Sequence, residues 1–289
     1  MSKTAETQHI LKIRNKELDL STPKVMGILN VTPDSFSDGG EYNQIEAALH
    51  RVDEMIDQGV SIIDIGGEST RPGSDPVLVE EEVSRVLPVL EVAVEKYPNI
   101  LFSVDTTKYD VARPALEAGA HIINDVSGLQ KEPRFAGLCA EFSAGYVLMH
   151  SKGDPKTMQN NPEYKDVVSD ILGFFSRQID SLKSEGLESV IIDPGIGFGK
   201  TLQHNLKIIS GLHNFTKFGY PIMMGASRKS MIGQILDNRP ADGRLAGTLA
   251  VHYHSLINGA KILRVHDVQE ANDSIKIYNA ILSAKVISR

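Results

Sequence analysis

The sequence predicts a single (β/α)8 barrel with a short N-terminal β-hairpin. Three observations carry this. Eight strand-like segments alternate with helical ones along the chain, which is the pattern of parallel βα units rather than of an open sheet. The strands tend to run into a polar residue at their C-terminal ends, where a barrel of this kind builds its site. No break in composition divides the 289 residues, and barrels of about 250 residues form one domain. The prediction is one domain over 1–289, with a hairpin at 10–20 ahead of the barrel.

The polar segment Met1 to His9 lacks the apolar core of a signal peptide. Ile10 to Leu20 alternates partly around Arg14-Asn15-Lys16 and reads as the hairpin. The first barrel strand is Val25 to Leu29, ending at Asn30. The loop that follows it, Thr32 to Gly40, is too long and polar for a tight βα turn, so it reads as mobile and functional rather than as a plain surface loop. A helix over about Gln44–Gln58 shows Ile45, Ala48, Leu49, Val52, Met55 and Ile56 on one face, and Gly59 closes it. Strand two, Ser61 to Ile65, leads into the second long loop, Gly66 to Gly73. The next helix is expected to start near Pro76, with Glu80, Glu81 and Glu82 suiting its N-terminal dipole and Pro88 kinking it.

Strand three is Ile100 to Val104, ending at Asp105. A short helix with Val111, Ala115 and Leu116 stops at Gly119. Strand four, His121 to Ile123, ends at Asn124-Asp125. The next helix, about Pro133 to Phe142, holds the one cysteine, Cys139, beside Phe135 and Leu138. A lone cysteine excludes an intrachain disulfide or a Cys-rich zinc site, and here it reads as a buried thiol. Strand five is Tyr146 to Met149, ending at His150. The polar connection Ser151 to Pro162 shows no recognisable chemistry. A helix over about Lys165–Ser184 precedes strand six, Val190 to Ile192, which releases Asp193 into Pro194-Gly195-Ile196-Gly197-Phe198-Gly199-Lys200.

That glycine run is neither of two common phosphate motifs. A P-loop ending at Gly199-Lys200-Thr201 would need glycine at Pro194, and glycines at 195, 197 and 199 do not match the dinucleotide pattern. A helix begins near Thr201. Strand seven is Pro221 to Gly225, followed by Ser227-Arg228-Lys229-Ser230 and a helix carrying Leu245, Leu249 and Leu256 to Gly259. Strand eight, Lys261 to Val265, runs into His266-Asp267, and a helix over about Gln269–Lys285 closes the fold.

The net charge of −7 disfavours nucleic acid, and no apolar run reaches membrane-spanning length, so a cytoplasmic protein with small-molecule partners is expected. An anionic substrate would have to be caught by a local cluster of cations. The strand tips read Asn30, Asp105, Asn124, Asp193, Lys229, Arg264 and His266, a set of two acids, two amides, two permanent cations and a histidine. Any one of these could simply cap the barrel mouth; the whole set converging favours a site. A carboxylate suits a guanidine-like edge with two parallel N–H groups, such as that of a 2-amino-4-oxo-pyrimidine ring. Lys229 can donate to that ring's carbonyl, and Val126, Met149 and Phe198 could wall it. Arg264 and His266, two apart in the chain, share a face beside Asn30. They suggest an anion there, with Mg²⁺ on the Asn30 oxygen. The alternative for His266 is a core-facing ring satisfied by Asp267.

These residues resemble a known family. Gly27-Ile28-Leu29-Asn30-Val31-Thr32-Pro33-Asp34-Ser35-Phe36-Ser37-Asp38-Gly39-Gly40 is similar to the first signature of dihydropteroate synthases, and Asp64 to Gly73 to their second loop. Ile123 to Gly128, Asp193 to Lys200, Ser227 to Ser230 and Arg264 to Asp267 match further motifs, so the resemblance covers about 24–268. The stretch Met149 to Gly153 departs mildly from the family pattern. The resemblance implies condensation of 6-hydroxymethyl-7,8-dihydropterin diphosphate with 4-aminobenzoate. It implies a pterin site of Asp105, Asn124, Val126, Met149, Asp193, Lys229 and Arg264, and a diphosphate site of Asn30, Arg264 and His266. It places Thr70, Arg71, Pro72, Phe198 and Ser230 around 4-aminobenzoate. Asp34, Lys229, Arg264 and His266 are the expected catalytic residues, with Mg²⁺ on Asn30, a homodimer and sulfonamide sensitivity. Two rivals share the pterin acids: a barrel that transfers a methyl group from a reduced folate to a corrinoid, and a non-catalytic pterin sensor. The first does not need a diphosphate cluster, and the second would bind a pterin tightly without turnover.

Overall fold

The computed structural model describes residues 9–32, 41–69, 74–154, 158 and 162–287. Strands β1 (Ile10–Ile13) and β2 (Lys16–Asp19) form an antiparallel hairpin. Eight parallel strands then close into a barrel: β3 (Lys24–Asn30), β4 (Ile62–Gly66), β5 (Leu101–Asp105), β6 (Ile122–Asp125), β7 (Gly145–Met149), β8 (Val190–Asp193), β9 (Ile222–Met224) and β10 (Ala260–Val265). β10 pairs with β3 and completes the ring.

Alternation along the strands explains the interior. Met26, Ile62, Leu101, Ile122, Val147, Ile191, Met223 and Ile262, one from each barrel strand, form an apolar layer at the N-terminal end. Leu11, Ile13, Leu18 and Leu20 of the hairpin pack onto this layer and plug the barrel floor. Two residues further along each strand the side chains face the same way. There the residues are Ile28, Asp64, Ser103, Asn124, Met149, Asp193, Gly225 and Arg264. Asp64, Ser103, Asn124 and Asp193 are all buried. The interior therefore changes from apolar to ionic within one step of the pleat.

The opposite strand faces, among them Val25, Leu29, Ile63, Ile65, Val104 and Ile192, pack against the surrounding helices in the larger core. These are α1 (Glu41–Asp57), α2 (Val79–Lys96), α3 (Tyr109–Glu117), α4 (Phe135–Glu141), α5 (Val167–Ser184), α6 (Leu202–Ser210), α7 (Ser230–Ile235), α8 (Leu245–Ile257) and α9 (Val268–Ile287). Asp166 caps α5 by accepting from the Ser169 N–H at 2.8 Å, and Thr201 caps α6 in a reciprocal box with His204. Cys139 is buried in α4, and burial raises its thiol pKa.

Some expected boundaries differ. The helix placed near Pro76 begins at Val79, and it continues through Pro88 to Lys96. The packing of Val86, Val89, Leu90 and Ala93 holds it together where proline removes one backbone bond. Two 3-10 helices, Leu212–Phe218 and Ala241–Arg244, had no periodic signal because each is only about one or two turns long.

Candidate active site

The ionic layer is built around Arg264. Its Nε donates to Asp64 Oδ2 at 2.7 Å and its Nη2 to Asp105 Oδ2 at 2.8 Å. Asn124 Nδ2 also donates to Asp64 Oδ2, at 2.8 Å. One cation thus serves two carboxylates on neighbouring strands. Burial opposes the guanidinium charge, but Asp64 and Asp105 outweigh it and raise its pKa. Burial pushes the Asp105 carboxyl up to about 7 despite the pull of Arg264. Asp64 Oδ1 and Asp105 Oδ1 are buried without a hydrogen-bond partner among the described residues. The sequence reading did not single out Asp64. It lies inside its strand rather than at the tip, although it shares the inward parity of Ile62.

Asp193 stands across the barrel on β8. Its Oδ1 accepts the Gly195 N–H at 2.7 Å. Burial raises its pKa, while that N–H, Lys229, Arg264 and Lys200 work in the other direction. A cavity of about 290 Å³ opens between these groups, with Asn124, Asp193, Lys229 and Arg264 as polar lining and Val126, Met149 and Phe198 as apolar walls. Lys229 Nζ lies 4.1 Å from the centroid of the Phe198 ring, a cation–π contact. A second cavity of about 550 Å³ shares Val126 and Phe198 with the first and reaches Asp105, Glu68 and Lys131. Ser151, Gly153 and Met158 line it, so the connection read as chemically silent forms part of the site wall. It does so through a serine, a glycine and a methionine, which leave no motif. At the cavity edge Lys108 bridges Glu68 and the buried Glu82.

Two glycines fix the loop after β8. Gly195 has φ +70°, and a Cβ there would lie 1.9 Å from the His150 carbonyl oxygen. Gly199 has φ +63°, and its Cβ would lie 2.0 Å from the Lys152 carbonyl oxygen. Only glycine allows the loop to press against the exit of β7. Gly195→Ala should therefore displace the loop, with its N–H leaving Asp193, and weaken ligand binding in the inner cavity about tenfold or more. Gly186 is a control with φ +78° and nothing within 4 Å of its Cβ position. Gly186→Ala should cost only about 1–2 kcal/mol of backbone strain in thermal unfolding and leave binding unchanged.

The anion cluster is assembled in part. Ser227 Oγ accepts from the His266 backbone N–H at 3.2 Å and lies 3.0 Å from His266 Nδ1. Asp267 pairs with Arg228, its Oδ2 3.0 Å from Nε, and not with His266. The β10–β3 ladder ends at Val265 and Gly27, so Asn30 sits three residues above it. Ser230 opens α7 on the exposed side and lines neither cavity. Asp34, Thr70, Arg71 and Pro72 lie outside the described residues. Among the described residues no group of three His, Cys, Asp or Glu side chains could hold a metal, and no helix is long and apolar enough to cross a membrane.

A family described as "Pterin binding enzyme" matches residues 26–266. The dihydropteroate synthase of Escherichia coli strain K12 is 47% identical over 270 residues, which cover 93% of this chain and 95% of the relative. The crystal structure of Yersinia pestis dihydropteroate synthase in a sulfonamide drug complex superposes with a TM-score of 0.88 at 44% identity, covering 95% of this chain and 99% of the other. The Xanthomonas albilineans enzyme with 4-aminobenzoic acid gives a TM-score of 0.89 at 39% identity, covering 96% and 99%.

Proposed function

We propose a mechanism from one premise: the chain belongs to the dihydropteroate synthase family of pterin-binding enzymes. It condenses 6-hydroxymethyl-7,8-dihydropterin diphosphate with 4-aminobenzoate, giving 7,8-dihydropteroate and diphosphate. The observation that carries the residue assignment is the inner cavity, where the buried Asp193 and Asn124 meet Lys229 and Arg264 between apolar walls, with the buried Asp105 lining the adjoining cavity. Asp193 and Asp105 accept the pterin N–H groups, with Asn124 beside them. Val126, Met149 and Phe198 sandwich the ring, and Lys229 and Arg264 face its oxygen-bearing edge. Asn30, Arg264 and His266 take the diphosphate. Phe198 and Ser230, with Thr70, Arg71 and Pro72 of the second loop, surround 4-aminobenzoate, and Asp34 of the first loop lies near the leaving group.

In the reaction the bond between the pterin methylene and the diphosphate oxygen breaks, and its electron pair leaves with diphosphate. Positive charge builds on the pterin, stabilised by Asp105 and Asp193, and negative charge on the leaving oxygens, stabilised by Arg264, His266 and Lys229. The aniline nitrogen of 4-aminobenzoate supplies the new C–N bond and then loses a proton, so no enzyme nucleophile is required. The family also implies Mg²⁺. Asn30 offers a hard amide oxygen that would hold such an ion beside the diphosphate. Such an ion would neutralise charge on the leaving group. The proposed assembly is a cytoplasmic homodimer. Exposed Ile257 on α8 and Ile277, Ile281 and Leu282 on α9 support the pairing, since these packed helices show their apolar side chains outward.

Diphosphate release should require both substrates, and release without 4-aminobenzoate would overturn the condensation. The raised Asp105 pKa adds a second expectation. Below about pH 7 its carboxyl carries a proton that must leave before it can accept pterin N–H groups. Pterin binding should thus tighten as pH rises toward 7 and release protons, read by calorimetry as a buffer-dependent enthalpy. Asp105→Asn should lose that release; the same buffer dependence in the variant would reassign the proton.

A further inference from the structure

The loop that carries Phe198 ends at Lys200, a lysine that the reaction does not touch and that is 2% exposed. Its ammonium has three N–H groups, and three acceptors surround it. His150 Nδ1 is at 3.0 Å, the His150 carbonyl at 3.1 Å and the Phe198 carbonyl at 2.9 Å. In the charged form all three N–H groups are used when the neutral His150 ring accepts at Nδ1. His150 accepts at Nδ1, consistent with a ring kept neutral: burial, with Lys200 and Lys152, pushes its pKa down to about 2.

Gly195 separates this ammonium from the pterin acid. Its N–H is bonded to Asp193, and Lys200 Nζ lies 3.3 Å from the position a Cβ at Gly195 would take. The rest of the loop is tied down from the same side. The Gly197 N–H donates to Asn205 Oδ1 at 2.8 Å, and the Tyr164 hydroxyl to the Gly199 carbonyl at 2.8 Å. The ammonium thus supports the wall residue Phe198 through its carbonyl and places a positive charge behind Asp193, on the side away from the cavity.

We infer that Lys200 is a positioning residue for pterin capture, its buried ammonium holding the 195–199 loop against β7 and keeping Asp193 ionised from behind. This rests on the pterin reading of the inner cavity. Burial pushes the lysine down to about 7 against the opposing pull of Asp193, with Lys229 adding to the depression. The charged and titratable groups facing the pair are His150 and Lys152 after β7, Asp193 on β8, Lys229 after β9, Arg264 on β10, and Tyr164 and His204 on the outer side. Of these, His150 stays neutral above about pH 4, and Lys229 and Arg264 already act on Asp193 from the cavity side.

The test is the pH dependence of 6-hydroxymethyl-7,8-dihydropterin binding. Lys200→Met removes both hydrogen bonds and charge. Lys200→Gln removes the charge, and its amide can still donate to two of the three acceptors. In both, the acid limb of affinity, to which Asp105 and Asp193 contribute, should move up by about one pH unit, with about tenfold weaker binding on the acid side of that limb. A lysine that only stabilises the fold would lower the melting temperature and leave the limb in place, and that result in a folded variant overturns the inference. If neither variant folds, nitrogen-15 NMR of the wild-type lysine decides. Reciprocal linkage requires its titration midpoint to rise when the pterin locks Asp193 as an anion, and an unchanged midpoint overturns the inference. Asp193→Asn separates the two readings: unchanged pterin affinity there means the pterin assignment itself has failed.

Discussion

Arg264→Ala is expected to yield a protein that is least stable where most proteins are comfortable, near pH 8, and that recovers on acidification. The guanidinium bridges Asp64, which is fully buried, and Asp105, which is 6% exposed. Removing it leaves two buried carboxylates facing each other, with only Asn124 among the described residues donating to one of them. Breaking such a pair from one side costs about 3–5 kcal/mol. The sign with pH follows from the same geometry. Asp105 already has a folded pKa raised to about 7, and loss of Arg264 raises it further. A carboxyl whose folded pKa lies above its unfolded value contributes stability that is fully present below the unfolded value and lost as pH rises through the folded one. Denaturant midpoints at pH 5.5 and pH 8 should thus differ in favour of the lower pH, by more than in the wild type. Arg264→Lys keeps a charge but loses the planar fork that reaches both acids, and should fall between. Wild-type stability of Arg264→Ala at pH 8 would mean that the two acids are not held by this cation. Titration with inorganic diphosphate adds a functional reading. If the variant binds it as the wild type does, the anion site rests on Asn30 and His266, and Arg264 serves the pterin side alone.

The barrel was legible because its strands are short apolar runs closed by polar tips, as at Val190–Asp193. Their alternation with amphipathic helices leaves few other folds. The candidate cluster was legible to the depth of those tips, and Asp105, Asn124 and Asp193 line the cavities. One pleat deeper it was not. Asp64 sits among isoleucines within β4, and only the closed ring shows that it faces Arg264 from β10, 200 positions away in sequence. Lys200 was read as the end of a failed phosphate motif, since nothing in a glycine-rich loop reveals that its lysine turns inward. The hairpin was correctly placed, but its role as the barrel floor depends on Leu11, Ile13, Leu18 and Leu20 all meeting the same apolar layer. That is a tertiary fact, invisible to local alternation.

Asp193→Asn should separate binding from folding most cleanly. One carboxylate oxygen, Oδ1, is already committed to the Gly195 N–H, and Gly195 is held in place by its own close approach to His150. The pterin edge therefore needs the remaining acceptor capacity. In the amide, one end becomes a donor. If the oxygen stays on Gly195, the new NH₂ points at pterin N–H groups; if it turns to the pterin, the NH₂ points at the Gly195 N–H. Either arrangement sets donor against donor, and truncating a desolvated charged hydrogen bond typically costs about 2–5 kcal/mol, or about 30-fold to several-thousand-fold in affinity. The apo-protein should respond in the opposite sense. Burial is the largest influence on Asp193 and works against its charge, so a neutral amide relieves that desolvation. The relief is partly offset because Lys229, Arg264 and Lys200 lose an anion they face. The expected result is thermal stability within a few degrees of wild type, together with collapsed pterin binding by calorimetry. Affinity within about threefold of wild type would remove Asp193 from the pterin site, because no arrangement of the amide satisfies both Gly195 and the ligand.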